Sequence, residues 1–222
     1  MPRNFRAAGR LVSFAIVAMI AGAGLAVAQQ QGEWHVGGRV VYIETDARSE
    51  PVVDTGSRLT FDSAISLELD TTYMLGHNWG IELMLTAAEH DLGAFAGEFD
   101  GLNVGSVWIG ETTVTLRYIV PLLGSWRPYL GAGVAGAYFF ESDTTDEASA
   151  LGIDSVESDF TYSYVGQVGL MHRIGDSWIL TFDLKWLDLP VDVTLQSSGP
   201  ELDTVETDLN PMIVGIGAAY RF

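Results

Sequence analysis

The sequence has few or none of several residue types, and each shortage excludes a class of protein. It has no cysteine, which excludes disulfide bonds, thiol catalysis and cysteine-based metal sites. It has 11 basic residues, of which one is lysine, and 29 acidic residues. This excess of negative charge disfavours nucleic acid as a partner. Beyond residue 28 no apolar run approaches the length of a membrane-spanning helix. If the mature chain crosses a membrane, it must do so with the strands of a closed barrel.

The first 28 residues have the pattern of a secretory signal peptide. Three arginines precede an apolar stretch from Leu11 to Leu25, and Ala26-Val27-Ala28 forms an A-x-A cleavage site. We therefore expect cleavage after Ala28 and one mature domain over residues 29–222. The alternative is an uncleaved membrane anchor. After cleavage, eight basic residues remain against 29 acidic ones, which gives a net charge of −21.

Eight segments alternate between two faces with the period of a β-strand. They cover residues 34–45, 64–75, 79–90, 111–121, 128–141, 160–173, 178–191 and 209–222. The connections between them alternate between long and short, which is typical of outer-membrane barrels and rare in soluble sandwiches. The sequence therefore predicts an all-β fold, an eight-stranded antiparallel transmembrane β-barrel with short periplasmic turns and four long extracellular loops.

The last predicted strand ends in a pattern that the barrel-assembly machinery of bacterial outer membranes recognises. Gly217, Tyr220 and Phe222 provide the glycine, the aromatic and the terminal aromatic of this signal. We therefore expect this machinery as a partner and the cell outer membrane as the location.

Aromatic residues occur near both ends of the predicted strands, as in the interfacial girdles of membrane barrels. Trp34 and Tyr73 lie near periplasmic ends, whereas Tyr42 and Trp186 lie near outer ends. The ordinary strand propensity of aromatic residues is the alternative explanation, although it does not place them at two depths.

The predicted external segments contain 22 of the 29 acidic residues. A solvated rim explains them, and the functional alternative is divalent cations that bridge them to lipopolysaccharide phosphates. The acids lack the spacing of a calcium-binding loop. We expect outer-membrane lipid and lipopolysaccharide as partners, and no nucleic acid.

Six charged residues have inward parity, which means that the alternation along the strand turns their side chains towards the barrel interior. They lie at mid-depth or nearer the periplasmic end. They are Arg39, Asp70, Glu82, Arg117, Asp183 and Lys185. Eight strands leave an interior just wide enough for side chains, and charges confined there must pair. The sequence therefore predicts an ionic plug that closes the periplasmic half, with a structural role or a role as a proton or ion relay.

The inward positions nearer the outer end are mostly apolar. Those expected to line a pocket are Val41, Ile43, Met84, Phe139, Leu187, Leu189 and Ile213. An apolar pocket above a polar floor suits a small hydrophobic ligand, and packing of the same residues against the loops is the alternative.

The histidines do not indicate catalysis. His35, His77 and His172 fall at predicted periplasmic ends, and His90 has no H-x-S partner. A single imidazole among scattered carboxylates is also a poor metal site. The sequence therefore predicts no catalytic residue, no metal and no cofactor.

Several stretches together resemble the OmpW family of outer-membrane proteins. They are Tyr73–Leu83, Arg127-Pro-Tyr-Leu-Gly-Ala-Gly-Val134, Gly166-Gln-Val-Gly169, Trp186-Leu-Asp-Leu189 and Ala218-Ala-Tyr-Arg-Phe222. The resemblance implies a hydrophobic channel at the outer end, closed towards the periplasm, for passive uptake of small hydrophobic molecules such as alkanes. It also implies that these solutes leave sideways through the barrel wall. Unlike the family pattern, residues 40–46 contain no proline, and the loops are unusually acidic.

The expected function is therefore passive passage of small hydrophobic solutes through an apolar pocket on the extracellular side. The alternative is a structural or surface-interaction barrel whose acidic loops contact lipopolysaccharide or host molecules.

Overall fold

The structure is a computed structural model that describes residues 32–45, 47–52, 55–120, 126–196 and 201–222. The predicted signal peptide and most of the predicted turn at 122–126 lie outside these ranges. Within them, no helix is both long and apolar enough to cross a membrane.

The described residues form thirteen strands and a short helix. In chain order these are β1 Trp34–Glu44, β2 Arg48–Ser49, β3 Arg58–Phe61, β4 Ala64–Met74, β5 Trp79–Phe95, β6 Asn103–Ile119, β7 Trp126–Thr144, α1 Asp146–Ala150, β8 Ser155–Ser158, β9 Thr161–Ile174, β10 Trp178–Asp188, β11 Pro190–Gln196, β12 Glu201–Asp208 and β13 Met212–Arg221.

Eight of these strands close into an antiparallel barrel, which confirms the predicted fold. Their order around the barrel is β1, β4, β5, β6, β7, β9, β10, β13 and back to β1. Each corresponds to one of the eight predicted segments. The ladder between the first and last barrel strands runs from His35↔Arg221 to Glu44↔Met212 and so leaves no free edge between them.

Alternation along each strand places one set of side chains inside and the other outside. In β4, Ile65 and Leu67 point outward and are 76% and 70% exposed, whereas Glu68 and Asp70 are 1% and 3% exposed. A charged interior and an apolar exterior are the reverse of a soluble sandwich. This arrangement fits a barrel surrounded by lipid.

The outer ends of the strands differ from the sequence prediction. Three barrel strands, β5, β6 and β7, are longer than predicted and rise above the rest of the wall. The predicted strand 178–191 is interrupted, because β10 ends at Asp188 and β11 begins at Pro190, a residue with no N–H to continue a ladder.

The long connections are folded rather than irregular. In them, β2, β12, β11 and β8 form a second, four-stranded sheet, and β3 adds to the outer end of β5. The apolar residues of these elements pack into a large buried cluster, the outer cluster, which includes Leu59, Val193 and Leu209.

Aromatic pairs surround the periplasmic end, where the short turns lie. The ring centroids of Trp34 and Tyr73 are 4.9 Å apart, and those of Trp79 and Tyr118 are also 4.9 Å apart. Exposed aromatic side chains occur again at the outer end, for example Trp186, which is 61% exposed. The two levels bound the part of the wall that faces lipid.

Candidate functional site

The middle of the barrel contains a buried network of charged side chains, called the ionic network below. Its members are Arg39, Glu68, Asp70, Glu82, Arg117, Asp183 and Lys185, with Thr72, Tyr129 and Gln167 as uncharged members. Every charged member is at most 4% exposed. All are inward-facing residues of barrel strands.

Arg39 is the cation with the most carboxylate neighbours. Its Nη1 donates to Oε1 of Glu68 at 2.9 Å, its Nη2 donates to Glu82, and its Nε lies 3.6 Å from Oδ1 of Asp70. Because the side chain is almost entirely shielded from water, these contacts act in a medium of low dielectric constant. The guanidinium thus holds carboxylates from two neighbouring strands, β4 and β5.

Glu82 connects this cation to the opposite wall. Its Oε1 also accepts from Nη1 of Arg117 at 2.6 Å, and its Oε2 accepts from Nε2 of Gln167 at 2.9 Å. Gln167 also donates to Oδ2 of Asp183 at 2.8 Å. Contacts therefore run from β5 to its neighbour β6 and across the lumen to β9 and β10, which leaves little room for water or solute at this depth.

The remaining contacts complete the layer. Lys185 donates to Glu68, and the hydroxyl of Tyr129 donates to Asp183. The guanidinium of Arg117 lies over the Tyr129 ring, with 3.8 Å between its carbon and the ring centroid.

Glycines on the inward face make room for these large side chains. A Cβ added to Gly169 would lie 2.2 Å from the Tyr129 ring. One added to Gly217 would lie 2.1 Å from the carbonyl oxygen of Gly38 and 2.7 Å from the Arg39 side chain. The small inward residues of β9 and β13 are therefore the local sequence feature that permits a charged layer in so narrow a barrel.

The structure brings all six residues predicted for the plug into this one layer. It adds Glu68, Thr72, Tyr129 and Gln167, which the sequence interpretation did not single out. Glu68 has the same parity as Asp70 two residues later, and this spacing was the available signal. Gln167 and Tyr129 lie in stretches noted only for their family resemblance.

The apolar residues predicted to line a pocket are distributed over three groups. Val41, Ile43, Leu187 and Ile213 pack with four small or branched residues, Ala64, Ala88, Ala135 and Val165, in what we call the middle cluster. Phe139 and Leu189 instead belong to the outer cluster.

Met84 differs from the other predicted lining residues. Its sulfur lies 3.4 Å from Nη1 of Arg39 and 3.8 Å from Nζ of Lys185. It therefore belongs to the depth of the ionic network rather than to the apolar layer above. Parity placed it inward correctly but did not indicate its depth.

The middle cluster is densely filled by protein in this structure. Val41 and Leu187 have no exposed surface, and Ile213 is 1% exposed. The outer cluster lies directly above, so the apolar interior continues from the ionic network up to the folded connections.

The wall beside the middle cluster is interrupted between two strands. The β4–β5 ladder ends at Glu68↔Thr86, and pairing with β5 resumes only where Phe61 of β3 faces Leu92. Between these points the first residues of β4 pair with β1 alone. We call this stretch, residues 62–67 opposite 87–91, the wall gap.

Side chains connect the two sides of the wall gap. The hydroxyl of Ser66 donates to the carbonyl oxygen of Ala87, and Nδ1 of His90 lies 2.8 Å from the carbonyl oxygen of Asp62. One backbone bond, from the N–H of Asp62 to the carbonyl of Asp91 at 2.9 Å, marks its upper limit. His90 therefore has a structural contact here.

Tyr220 and Phe222, two residues of the predicted assembly signal, lie on the outer surface at the periplasmic edge, 38% and 52% exposed. Their ring centroids are 4.9 Å apart. Among the described residues, no group of three or more histidine, aspartate or glutamate side chains is arranged to hold a metal ion.

Comparisons with known proteins agree with this architecture. The sequence profile described as "OmpW family" matches residues 30–222. Outer membrane protein W of Vibrio cholerae serotype O1 is 24% identical over 198 residues, which cover 88% of this chain and 91% of that protein. The dibenzothiophene metabolism operon protein DoxH of Pseudomonas sp. strain C18 is 26% identical over 157 residues, 71% of each chain.

A solved structure shows the same fold. The crystal structure of the outer membrane protein OprG from Pseudomonas aeruginosa superposes with a TM-score of 0.78 at 23% sequence identity, over 86% of this chain and 96% of that one. With the profile match over residues 30–222, these findings show that the chain belongs to the OmpW family of outer-membrane β-barrel proteins.

Proposed function

We propose that this outer-membrane barrel gives small hydrophobic molecules a passive route from the outside into the membrane. The observation that carries the proposal is that the lumen changes from a buried apolar layer to a buried ionic layer over two residues of a strand. Leu187 belongs to the middle cluster, and Lys185, two residues earlier on β10, belongs to the ionic network.

The ionic network would act as the floor of this route. An apolar solute that moved through it would have to separate Arg39 and Arg117 from Glu82, and it could not replace their hydrogen bonds. Breaking buried charge pairs in this way costs several kcal/mol (about 3–5). An apolar solute above the floor therefore has a lower barrier sideways than downward.

The wall gap is the exit that we propose. Its inner side carries the small residues Ala64 and Ala88 of the middle cluster, and its outer side carries the exposed Ile65 and Leu67. The wall is held there by side-chain hydrogen bonds instead of a continuous backbone ladder, so fewer bonds must open than elsewhere. A solute leaving here would pass from apolar residues directly into lipid.

The middle and outer clusters must open for a solute to enter, because protein side chains fill them. Repacking of apolar side chains and movement of the external sheet are the steps that we infer. The name of the relative DoxH associates that protein with metabolism of dibenzothiophene, a small apolar compound, which supports the solute class proposed for this chain.

The test introduces a charge into the route. Leu187→Asp puts a carboxylate in the middle cluster, and we expect slower uptake of the apolar dye N-phenyl-1-naphthylamine into cells that carry the variant. Ile179→Asp is the matched control, because Ile179 is an equally buried inward residue of the same strand but lies below the ionic network. Cells that carry Ile179→Asp should take up the dye as fast as cells that carry the unmodified protein.

Barrel amounts in the outer membrane must be equal for this comparison. Equal uptake by Leu187→Asp and the unmodified protein would reject the route through the middle cluster. Equal slowing by both variants would reject the proposed closed floor, because it would mean that solutes pass the whole length of the barrel.

The filled outer cluster supports a second candidate, a surface-interaction role for the external sheet. Exposed carboxylates such as Asp146, Glu147 and Asp159 surround this sheet, and divalent cations would bridge them to lipopolysaccharide phosphates. The triple variant Asp146→Asn, Glu147→Gln, Asp159→Asn separates the candidates. A surface role predicts weaker calcium-dependent binding to purified lipopolysaccharide, whereas the hydrophobic route predicts unchanged dye uptake.

A further inference from the structure

A cavity of about 560 Å³ opens at the periplasmic end, on the opposite side of the ionic network from the proposed route. Its inner wall is apolar and is made by Met74, Ile119, Met171 and Ile179. These four side chains are each at most 7% exposed and form a cluster of their own with Tyr129. We call this cavity the periplasmic vestibule.

Three arginines line the periplasmic vestibule, which is unusual in so acidic a chain. Arg127, Arg173 and Arg221 are three of the eight basic residues that follow the predicted signal peptide. The strand register brings them together, since Arg127 pairs with Met171, Arg173 with Ile179 and Arg221 with His35. The cationic side chains thus alternate with the apolar wall around the mouth.

These positive charges are incompletely neutralised. Arg221 lies 3.5 Å from Glu33, whose side chain is 52% exposed. In the described part of the chain, neither Arg127 nor Arg173 is within ion-pair distance of a carboxylate. The predicted external segments hold most of the acidic residues, so we expect the electrostatic potential to differ in sign between the two ends of the barrel.

One buried polar atom also points to a ligand. His35 lines the periplasmic vestibule and is 6% exposed, and its Nε2 has no hydrogen-bond partner among the described residues. The nearest carboxylate oxygen, on Glu33, is 3.8 Å away. A buried polar atom without a partner is costly unless a water or a ligand satisfies it.

We propose that the periplasmic vestibule binds a small amphipathic carboxylate, with its charged group between the arginines and its apolar body against the methionine and isoleucine wall. Guanidinium groups bind carboxylates through paired N–H donors, and the wall excludes water from the hydrocarbon part. The volume falls within the range of about 300–1,000 Å³ usual for small-molecule sites.

This site does not depend on the proposed outer route. The ionic network separates the two, and the ligand would arrive from the periplasm. A carboxylic acid produced by oxidation of an apolar compound is the chemical class that fits both the arginines and the wall.

Methionine methyl groups provide a direct test, because the mature chain has four methionines at informative places. Met74 and Met171 line the vestibule, Met84 lies beside the ionic network, and Met212 is 45% exposed on the lipid side. The protein is purified from outer membranes with 13C-methyl methionine and placed in zwitterionic lipid nanodiscs. Octanoate, octanol, acetate and inorganic phosphate are then titrated in separate samples.

We expect octanoate to shift the Met74 and Met171 signals to saturation and to leave the Met84 and Met212 signals in place. Octanol lacks the charge, whereas acetate and phosphate lack the apolar body, so each should bind at least about tenfold more weakly, the loss typical of one charge-assisted contact or of a few buried methylenes.

Variants test the part played by the arginines. Arg127→Gln with Arg173→Gln should weaken octanoate binding at least about tenfold, since it removes two charge-assisted donors. Arg58→Gln is the matched control, because it removes one arginine at the outer end, where Arg58 donates to the Ser49 carbonyl. This control should bind octanoate normally.

Each other outcome overturns the proposal. Shifts at Met212 of the same size as those at Met171 would mean partition into lipid, and equal binding of octanol or phosphate would mean an apolar or a simple anion site. Unchanged binding by the double arginine variant would also reject it. The titration of the unmodified protein decides the question even if the double variant fails to assemble.

Discussion

The ionic network and the middle cluster are adjacent layers of one lumen, built from the same strands and from residues of the same parity. Arg39 is followed two residues later by Val41, and Lys185 by Leu187. Two residues correspond to about 7 Å along a strand. Within that distance the interior changes from paired charges to hydrocarbon. The comparison shows that parity decides which residues face the lumen, whereas depth along the barrel decides whether they join the ionic network or the apolar packing.

The two layers should respond differently to the loss of a side chain. In the ionic network the cost comes from the partners left behind, because buried carboxylates without a cation are strongly destabilised. In the middle cluster the cost comes from lost apolar burial and from the cavity that remains. The unfolding free energies of variants in each layer, and of a variant at an inward glycine, separate these two costs.

The largest effect is expected from Arg39→Met. It leaves Glu68, Asp70 and Glu82 without their shared cation, and we expect the free energy of unfolding to fall by about 3–5 kcal/mol. Urea unfolding of the purified barrel in detergent micelles gives this value. Arg58→Met is the control, because Arg58 is only partly buried and donates to a backbone carbonyl. A loss for Arg39→Met no larger than that of the control would contradict the role of the network.

A smaller effect is expected from Leu187→Ala in the middle cluster. Leu187 is fully buried, so the variant should lose about 2–3 kcal/mol through lost burial and a residual cavity. Leu184→Ala on the lipid-facing side of the same strand is the control, since Leu184 is 38% exposed. The same unfolding experiment compares them, and equal losses would mean that the middle cluster is not packed as described.

The smallest of the three effects is expected from Gly169→Ala. The new methyl group would lie 2.2 Å from the Tyr129 ring and 2.6 Å from the carbonyl oxygen of Phe182. The ring must therefore move away from Asp183 and the neighbouring strand must shift slightly, at a cost of about 1–2 kcal/mol. Gly38→Ala is the control, because its nearest atom, the Glu68 carbonyl oxygen, is 3.4 Å away. If Gly169→Ala unfolds at the same urea concentration as Gly38→Ala, the glycine does not make room for Tyr129.

Much of the barrel could be predicted from the sequence, because inward and outward residues alternate along most of each strand. This alternation identified all eight barrel strands and placed Arg39, Glu82 and Arg117 inside. It did not give depth, and Met84 was therefore assigned to the apolar layer although its sulfur contacts the ionic network. Depth depends on the stagger between strands, which is a property of the closed barrel.

The wall gap and the periplasmic vestibule could not be predicted from single segments, because each depends on how two or more strands lie beside one another. The wall gap exists because the β4–β5 ladder stops at Glu68 while β3 pairs with β5 further out. The periplasmic vestibule exists because closure brings the ends of β7, β9 and β13 together. In the sequence its three arginines are separated by more than forty residues each.

The proposed exit can be tested directly because the chain has no cysteine of its own. Continuing the β4–β5 register places Ser66 opposite Ala88, so Ser66→Cys with Ala88→Cys should form a disulfide across the wall gap. A matched pair, Leu184→Cys with Val214→Cys, bridges paired residues of the continuous β10–β13 wall. We predict that oxidation of the first pair slows uptake of N-phenyl-1-naphthylamine, that reduction restores it, and that the second pair has no effect. Uptake that stays equally fast with the first disulfide fully formed would contradict sideways passage through this part of the wall.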